Sequence, residues 1–207
     1  MIHQDFEQID NWLRQHAEKI AVHSLQPPAT EAALEKLETA IGKPLPTDFK
    51  KLYQWHNGLS DTENFGSLFF GMDFFSIDRI ITEYGGQRDA ASDIIPLKKA
   101  DMEIEASNLF NPSWIQFAFD GSHTGLYLDL APAAAGQIGQ IIFIDTEYDT
   151  GICVASSTAG LVADFAKYLR NGLYHLAEDA LEDDNHYLEA DDTIDIVNWQ
   201  TSERWRR

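Results

Sequence analysis

Residues 114–130 read WIQFAFDGSHTGLYLDL, and the centre of this stretch is either a hydrolytic site or a tight turn between two strands. On one side Trp114, Gln116 and Ala118 alternate with Ile115, Phe117 and Phe119; on the other Leu126, Leu128 and Leu130 alternate with Tyr127 and Asp129. A period of two is the signature of a strand. Asp120-Gly121 lies between them, and this dipeptide favours a hairpin because glycine accepts the positive φ of a tight turn and aspartate bonds the following amides. Ser122 and His123 are neighbours, so on an extended strand they point to opposite faces and form no nucleophile–base pair. Gly-x-Ser-x-Gly, the elbow of the α/β-hydrolases, is absent. The expectation is a hairpin.

Working outward, Phe6, Ile9, Leu13, Ala17 and Ile20 recur at helical spacing and predict a helix over about 4–20, with Trp12 widening its stripe. After Pro27-Pro28, Thr30 is the expected N-cap of a second helix with Leu34, Leu37 and Ile41 on one face and Gly42 at its end. Pro44 and Pro46 force an extended connector, Thr47 is read as the next cap, and DFKKLYQWHNG is a short third helix. SLFFGMDFFSI reads as extended structure broken at Gly71, Ser76 or Asp78 starts a helix through Tyr84, and GGQRDAASD reads as a loop. QIIFID, a turn at EYDTG and ICVASS add strands, and Ser157 or Thr158 caps a closing helix with Leu161, Phe165 and Leu169 buried, ended by Asn171-Gly172. Strands joined by short polar turns are antiparallel neighbours. The fold class is therefore α+β: a mainly antiparallel sheet with helices packed on one side, over residues 1–172, plus an acidic C-terminal extension, 173–207.

With 207 residues the chain can bury a core without staples, and a single cysteine, Cys153 in apolar GICVAS, makes no internal disulfide and is expected to be a buried thiol. No leader-like N-terminus and no uncharged apolar run of membrane-spanning length is present, so a soluble cytoplasmic protein is expected. The 34 acidic side chains exceed the 15 basic ones, giving a net charge of −19, which disfavours nucleic acid and anionic membranes and favours basic partners. No phosphate-binding loop, dinucleotide fingerprint, cysteine pair or His-Glu-x-x-His occurs, so no catalytic residue, cofactor or metal is assigned. His175 with Asp179, and His186 near Asp183 and Asp184, are spacings that acidic tails contain by chance.

The candidate partner-binding residues are an aromatic pair and an acidic set. Trp55-His56 closes the third helix and offers an aromatic hot spot, although a tryptophan folded onto the core is the plainer reading. Glu178, Asp179, Glu182, Asp183, Asp184, Asp191 and Asp192 form the acidic set. Helix is expected over about 173–182, and Ile194, Ile196, Val197, Trp199 and Trp205 carry too much apolar surface for a disordered tail, so they are expected to fold back.

The order of motifs in residues 37–58, LETAIGKPLPTDFKKLYQWHNG, resembles the SUKH superfamily, which includes Smi/Knr-type cell-wall assembly regulators and bacterial immunity proteins. The matching parts are Glu38, Leu45-Pro46, Phe49 with Leu52-Tyr53, and Asn57-Gly58, followed by Trp114-Ile115, Asp120-Gly121, Leu128-Asp129-Leu130, Gly136, Gly139-Gln140 and Gly172. The resemblance implies an α+β domain without catalytic residues that acts by binding protein. The expectation it supports is an immunity protein that neutralises a cognate toxin domain, basic and of nuclease type; a regulatory or scaffolding module is the alternative.

Overall fold

The computed structural model describes residues 2–62, 64–90 and 94–206. Three helices open the chain: α1 (Ile2–His16), α2 (Glu31–Ile41) and α3 (Thr47–Trp55). The first stops short of the expected Ile20, and a π-helical turn, Ile20–Ser24, follows. The change keeps the stripe, since Phe6, Ile9, Leu13, Ala17 and Ile20 are all buried. Thr30 caps α2 as expected, its side chain accepting from the Ala33 amide, and Gly42 is left-handed at φ 69°. Thr47 does not cap α3. Pro46 occupies that position, and Asp48 does the local bonding: Oδ1 accepts from Phe49 N–H at 3.0 Å while Oδ2 accepts from Ala159 N–H at 2.9 Å, 111 residues away.

A 3₁₀ turn, Phe69–Gly71, leads to the two-residue strand β1 (Asp73–Phe74) and then α4 (Ile77–Ala90). Ser76 Oγ accepts from Arg79 N–H at 3.2 Å and Asn57 Oδ1 from Ile77 N–H at 3.0 Å, so the expected cap is joined by a distant one. The expected loop at GGQRDAASD is corrected in part, because α4 runs through Gly85 and Gly86 to Ala90; residues 91–93 lie outside the described residues. Upstream of the glycines α4 packs on α2 and β3, and the hydroxyl of buried Tyr84 donates to Pro112 O at 3.0 Å, contacts that outweigh the roughly 1 kcal/mol each helical glycine costs.

The main sheet has the order β1-β3-β4-β5-β6-β2, with β2 (Lys99–Ala100), β3 (Trp114–Phe119), β4 (Thr124–Asp129), β5 (Gln140–Asp145) and β6 (Thr150–Ala155). Its pairings are antiparallel except at the edge pair β2–β6, which is parallel. Asp120-Gly121 is the hairpin bend: Asp120 Oδ1 accepts from the amides of Ser122, His123 and Thr124 at 2.8, 3.1 and 3.0 Å, and Gly121 has φ 87°. The sheet buries both faces. Ile115, Phe117, Leu126, Leu128, Ile141 and Phe143 join the core under the helices, whereas Trp114, Ile142 and Ile144 pack with Leu97, Ile104 and Leu109 of the irregular segment opposite. QIIFID is apolar throughout its centre because β5 is covered on both sides. Cys153 is half-buried rather than buried, on the strand next to the short edge β2, where its amide donates to Asp101 Oδ2 at 2.9 Å.

Helix α5 (Thr158–Arg170) is capped by Ser157, whose Oγ accepts from Gly160 N–H at 3.1 Å, and buries Leu161, Phe165 and Leu169. Beyond Gly172 the expected helix over 173–182 is replaced by β7 (Tyr174–Leu176), a short α6 (Glu178–Glu182) and β8 (Leu188–Ala190), with β7 and β8 paired antiparallel. The pairing partner is too far along the chain to be seen in local periodicity. Ile194, Ile196, Trp199 and Trp205 are buried in the same cluster as α1 and α5, as expected for residues that fold back. The β7–β8 ribbon sits on the 3₁₀ turn: Ser67 Oγ accepts from Leu188 N–H at 2.8 Å, and buried Phe70, held at φ 53°, donates its amide to the Tyr174 hydroxyl at 3.0 Å.

Candidate partner-binding groove

Trp55 and His56 are absorbed into packing. Trp55 stacks on Phe6 with centroids 4.8 Å apart, and its Nε1 shares the Asp10 carboxylate at 3.2 Å from each oxygen. His56 Nδ1 lies 2.7 Å from Gln26 O; a carbonyl only accepts, so Nδ1 carries the proton, and Nε2 faces Asp10 at 3.6 Å. Both side chains are half-buried. Trp55 lines a cavity of about 280 Å³ shared with Phe6, Asp10 and Lys51, separate from the tail acids.

The larger concavity, about 550 Å³, lies where the β7–β8 ribbon meets the 3₁₀ turn and the C-terminal turn. Asp120, Asp179, Glu189, Asp192 and Asp195 line it, and among the described residues the single basic-type group in the lining is His175, whose Nε2 is 3.1 Å from Glu189 Oε2. Phe70, Leu188 and Val197 give it an apolar floor. Asp195 is fixed by the amides of Val197 and Asn198 at 2.9 and 3.3 Å.

The structure divides the acidic set chosen from sequence. Asp179 and Asp192 enter the groove, while Glu178, Glu182 and Asp183 are exposed on or beside α6 without lining it. Asp184 is already partnered, since its carboxylate and carbonyl both engage Lys19 and the ammonium holds the carboxyl below its ordinary range. Asp191 closes a turn, accepting from the Thr193 hydroxyl and amide at 2.5 and 2.9 Å, which lowers its pKa likewise. Asp120, His175, Glu189 and Asp195 are groove residues that the sequence reading missed. The signal was the cross-strand pair His175–Glu189, legible only with the ribbon's register in hand.

Ser122 and His123 meet, contrary to the expectation of opposite faces, because they lie in the bend rather than on a strand. Ser122 Oγ is 2.8 Å from His123 Nδ1, and His123 Nε2 is 3.3 Å from Glu147 Oε2. The arrangement lacks an oxyanion hole of its own: the amides of Ser122, His123 and Thr124 all point at Asp120. Ser122 is also exposed, so no desolvated pocket surrounds its hydroxyl. Among the described residues no group of three or more His, Cys, Asp or Glu side chains is placed to hold a metal ion, and no helix is long and apolar enough to cross a membrane.

Comparison with known proteins agrees with the fold. The chain is 26% identical over 192 residues to the cell wall biosynthesis/cell cycle regulator smi1 of Schizosaccharomyces pombe, covering 86% of this chain and 38% of that protein. It is 24% identical over 243 residues to the glucan synthesis regulatory protein of Neurospora crassa, covering 98% and 45% respectively. A KNR4/SMI1 homolog of Kluyveromyces lactis is 22% identical over 83% of this chain and 44% of its own length. The chain thus spans less than half the length of these relatives. The profile of the SMI1 / KNR4 family (SUKH-1) matches residues 28–171, from the connector before α2 to the end of α5, and the chain belongs to that family.

Proposed function

We propose that this chain is a non-catalytic protein-binding module of regulatory type, which receives a basic segment of its partner in the groove beside the β7–β8 ribbon. The observation that carries this reading is the groove's lining, five carboxylates against one imidazole around an apolar floor. Such a surface speeds encounter with a cationic partner and fixes its register. The names of the relatives, a cell wall biosynthesis/cell cycle regulator and a glucan synthesis regulatory protein, support regulation as the role. The net charge of −19 supports a second reading, a cytoplasmic immunity protein whose partner is a cognate basic toxin domain. The two readings share the surface and differ in the partner.

Groove and overall charge are separated by two triple variants of equal charge. One carries Asp179→Asn, Glu189→Gln and Asp192→Asn; the other carries Glu18→Gln, Glu35→Gln and Glu203→Gln, all exposed and outside the groove. Binding of a fluorescein-labelled peptide of alternating arginine and glycine is expected to weaken about tenfold in the first and less than about twofold in the second. Equal weakening would mean that affinity follows net charge and not the groove. Co-expression with a toxic domain encoded beside this gene tests the second reading: growth arrest that this chain does not relieve removes it.

A further inference from the structure

We propose that the pocket lined by Tyr148 and Trp199 holds one cationic side chain of the partner, an arginine or a lysine; this rests on the partner being basic, as proposed above. The pocket, about 250 Å³, shares Val197 and Asn198 with the acidic groove, so the two adjoin at the C-terminal turn. Its aromatic walls stand nearly perpendicular, at 80° with centroids 6.4 Å apart. Tyr148 is 47% exposed at the tip of the β5–β6 hairpin.

One buried carboxylate fixes the Trp199 indole and the backbone that carries Tyr148. Asp145 Oδ1 accepts from the amides of Glu147 and Tyr148 at 2.9 and 3.0 Å, and Asp145 Oδ2 accepts from Trp199 Nε1 at 2.8 Å. Asp149, at φ 49°, closes the hairpin in the left-handed region, a conformation that persists in a non-glycine residue only where the surroundings hold it. The result is an exposed ring on a fixed backbone beside a cavity, the kind of anchor on which binding energy concentrates.

Charge selects the occupant. Among the described residues no lysine or arginine lines this pocket, and Glu147 adds a carboxylate at its rim, 3.3 Å from His123 Nε2. Aromatic faces attract ammonium and guanidinium groups within about 6 Å of the ring centroid. The molecule already makes such a contact on the adjoining side, where Lys99 Nζ stands 5.8 Å from the Trp199 centroid. Lys99 and Lys98 line the neighbouring cavity rather than this one, and Lys98 is paired with Asp149 at 2.6 Å. That cavity shares Glu147, Tyr148, Trp199 and Gln200 with this pocket, so the Trp199 ring already faces one cation of the chain, and the pocket, with no lysine or arginine of its own among the described residues, takes a further one from outside.

The test is an NMR titration of the full chain with N-acetyl-arginine methylamide and with its uncharged citrulline counterpart. The Trp199 indole resonance is expected to shift with the arginine compound alone. Tyr148→Phe should keep the response and Tyr148→Leu, which retains bulk without a ring, should remove it and weaken the arginine-glycine peptide about fivefold. Unmoved resonances of the other indoles show that the variant is folded. Equal shifts with both compounds, no shift with either, or a full response in Tyr148→Leu would overturn the inference. If the groove variant loses the peptide while Tyr148→Leu does not, this pocket is wrong and the proposed function stands; the reverse pattern retires the groove and keeps the pocket.

Discussion

Trp199 Nε1 donates to Asp145 Oδ2 at 2.8 Å across 54 residues of chain, and both side chains are buried. The bond pins the C-terminal segment to the end of β5, one of the two central strands and buried along its length. Trp199→Phe keeps most of the apolar area and leaves a buried carboxylate oxygen short of a donor, so a loss of about 1–3 kcal/mol is expected in urea denaturation. Trp199→Ala adds a cavity and should cost about 3–5 kcal/mol. Identical midpoints for the Trp199→Phe variant and the wild type would show that the bond contributes nothing.

Removal of residues 173–207 tests how far the extension belongs to the core. The cut takes away Tyr174, Leu188, Ile194, Ile196, Trp199 and Trp205, all buried, and strips Phe70 of the hydroxyl that accepts its amide and of the Trp205 ring against it. The expected outcome is loss of a single cooperative thermal transition by circular dichroism. A truncated chain that melts cooperatively at the wild-type temperature would contradict the packing described.

Glu38 ties the end of α2 to the Leu-Pro connector, its Oε1 accepting from Leu45 N–H at 2.8 Å and facing Lys50 Nζ at 2.6 Å. The Lys50 bond, then the Leu45 amide, hold its pKa below the ordinary 4.5. Lowered in the folded state, the group stabilises the fold above its unfolded pKa, and that contribution is lost as pH falls through the folded value. Glu38→Gln should therefore cost about 0.5–1.5 kcal/mol at neutral pH, with the gap from wild type closing on acidification below about 4.5. A gap that is constant with pH would remove the charge from the explanation.

Two left-handed glycines predict different costs. Gly42 has φ 69° with nothing within 4 Å of an added Cβ, so Gly42→Ala should cost about 1 kcal/mol from backbone strain alone. Gly58 has φ 76° and would place Cβ 2.4 Å from the backbone carbon of Phe75, which cannot swing aside like a side chain. Gly58→Ala should cost well above about 1 kcal/mol, and equal melting temperatures for the two variants would refute the clash.

Much of this architecture was legible because its signals are local. Asp120-Gly121 bends the chain through bonds that span no more than four residues, and Thr30 and Ser157 cap helices through amides three residues on. Where a residue serves a distant partner, local reading misleads. Thr47 looks like a cap, yet Pro46 takes the position and Asp48 spends one oxygen on α5. Ser122 and His123 look divided between two faces, yet the bend turns them together.

The sequence alone determined the alternation and turn chemistry that make an α+β chain with an antiparallel sheet, and the acidic excess, because periodicity, capping and charge are properties of neighbours along the chain. Only the tertiary structure decided that His175 and Leu176 lie on a strand, that Asp120, Glu189 and Asp195 join Asp179 and Asp192 in one groove, and that Trp55 and His56 stand apart from it. Those facts depend on which segments pair across 12 or more residues, where contact free energy overrides local preference.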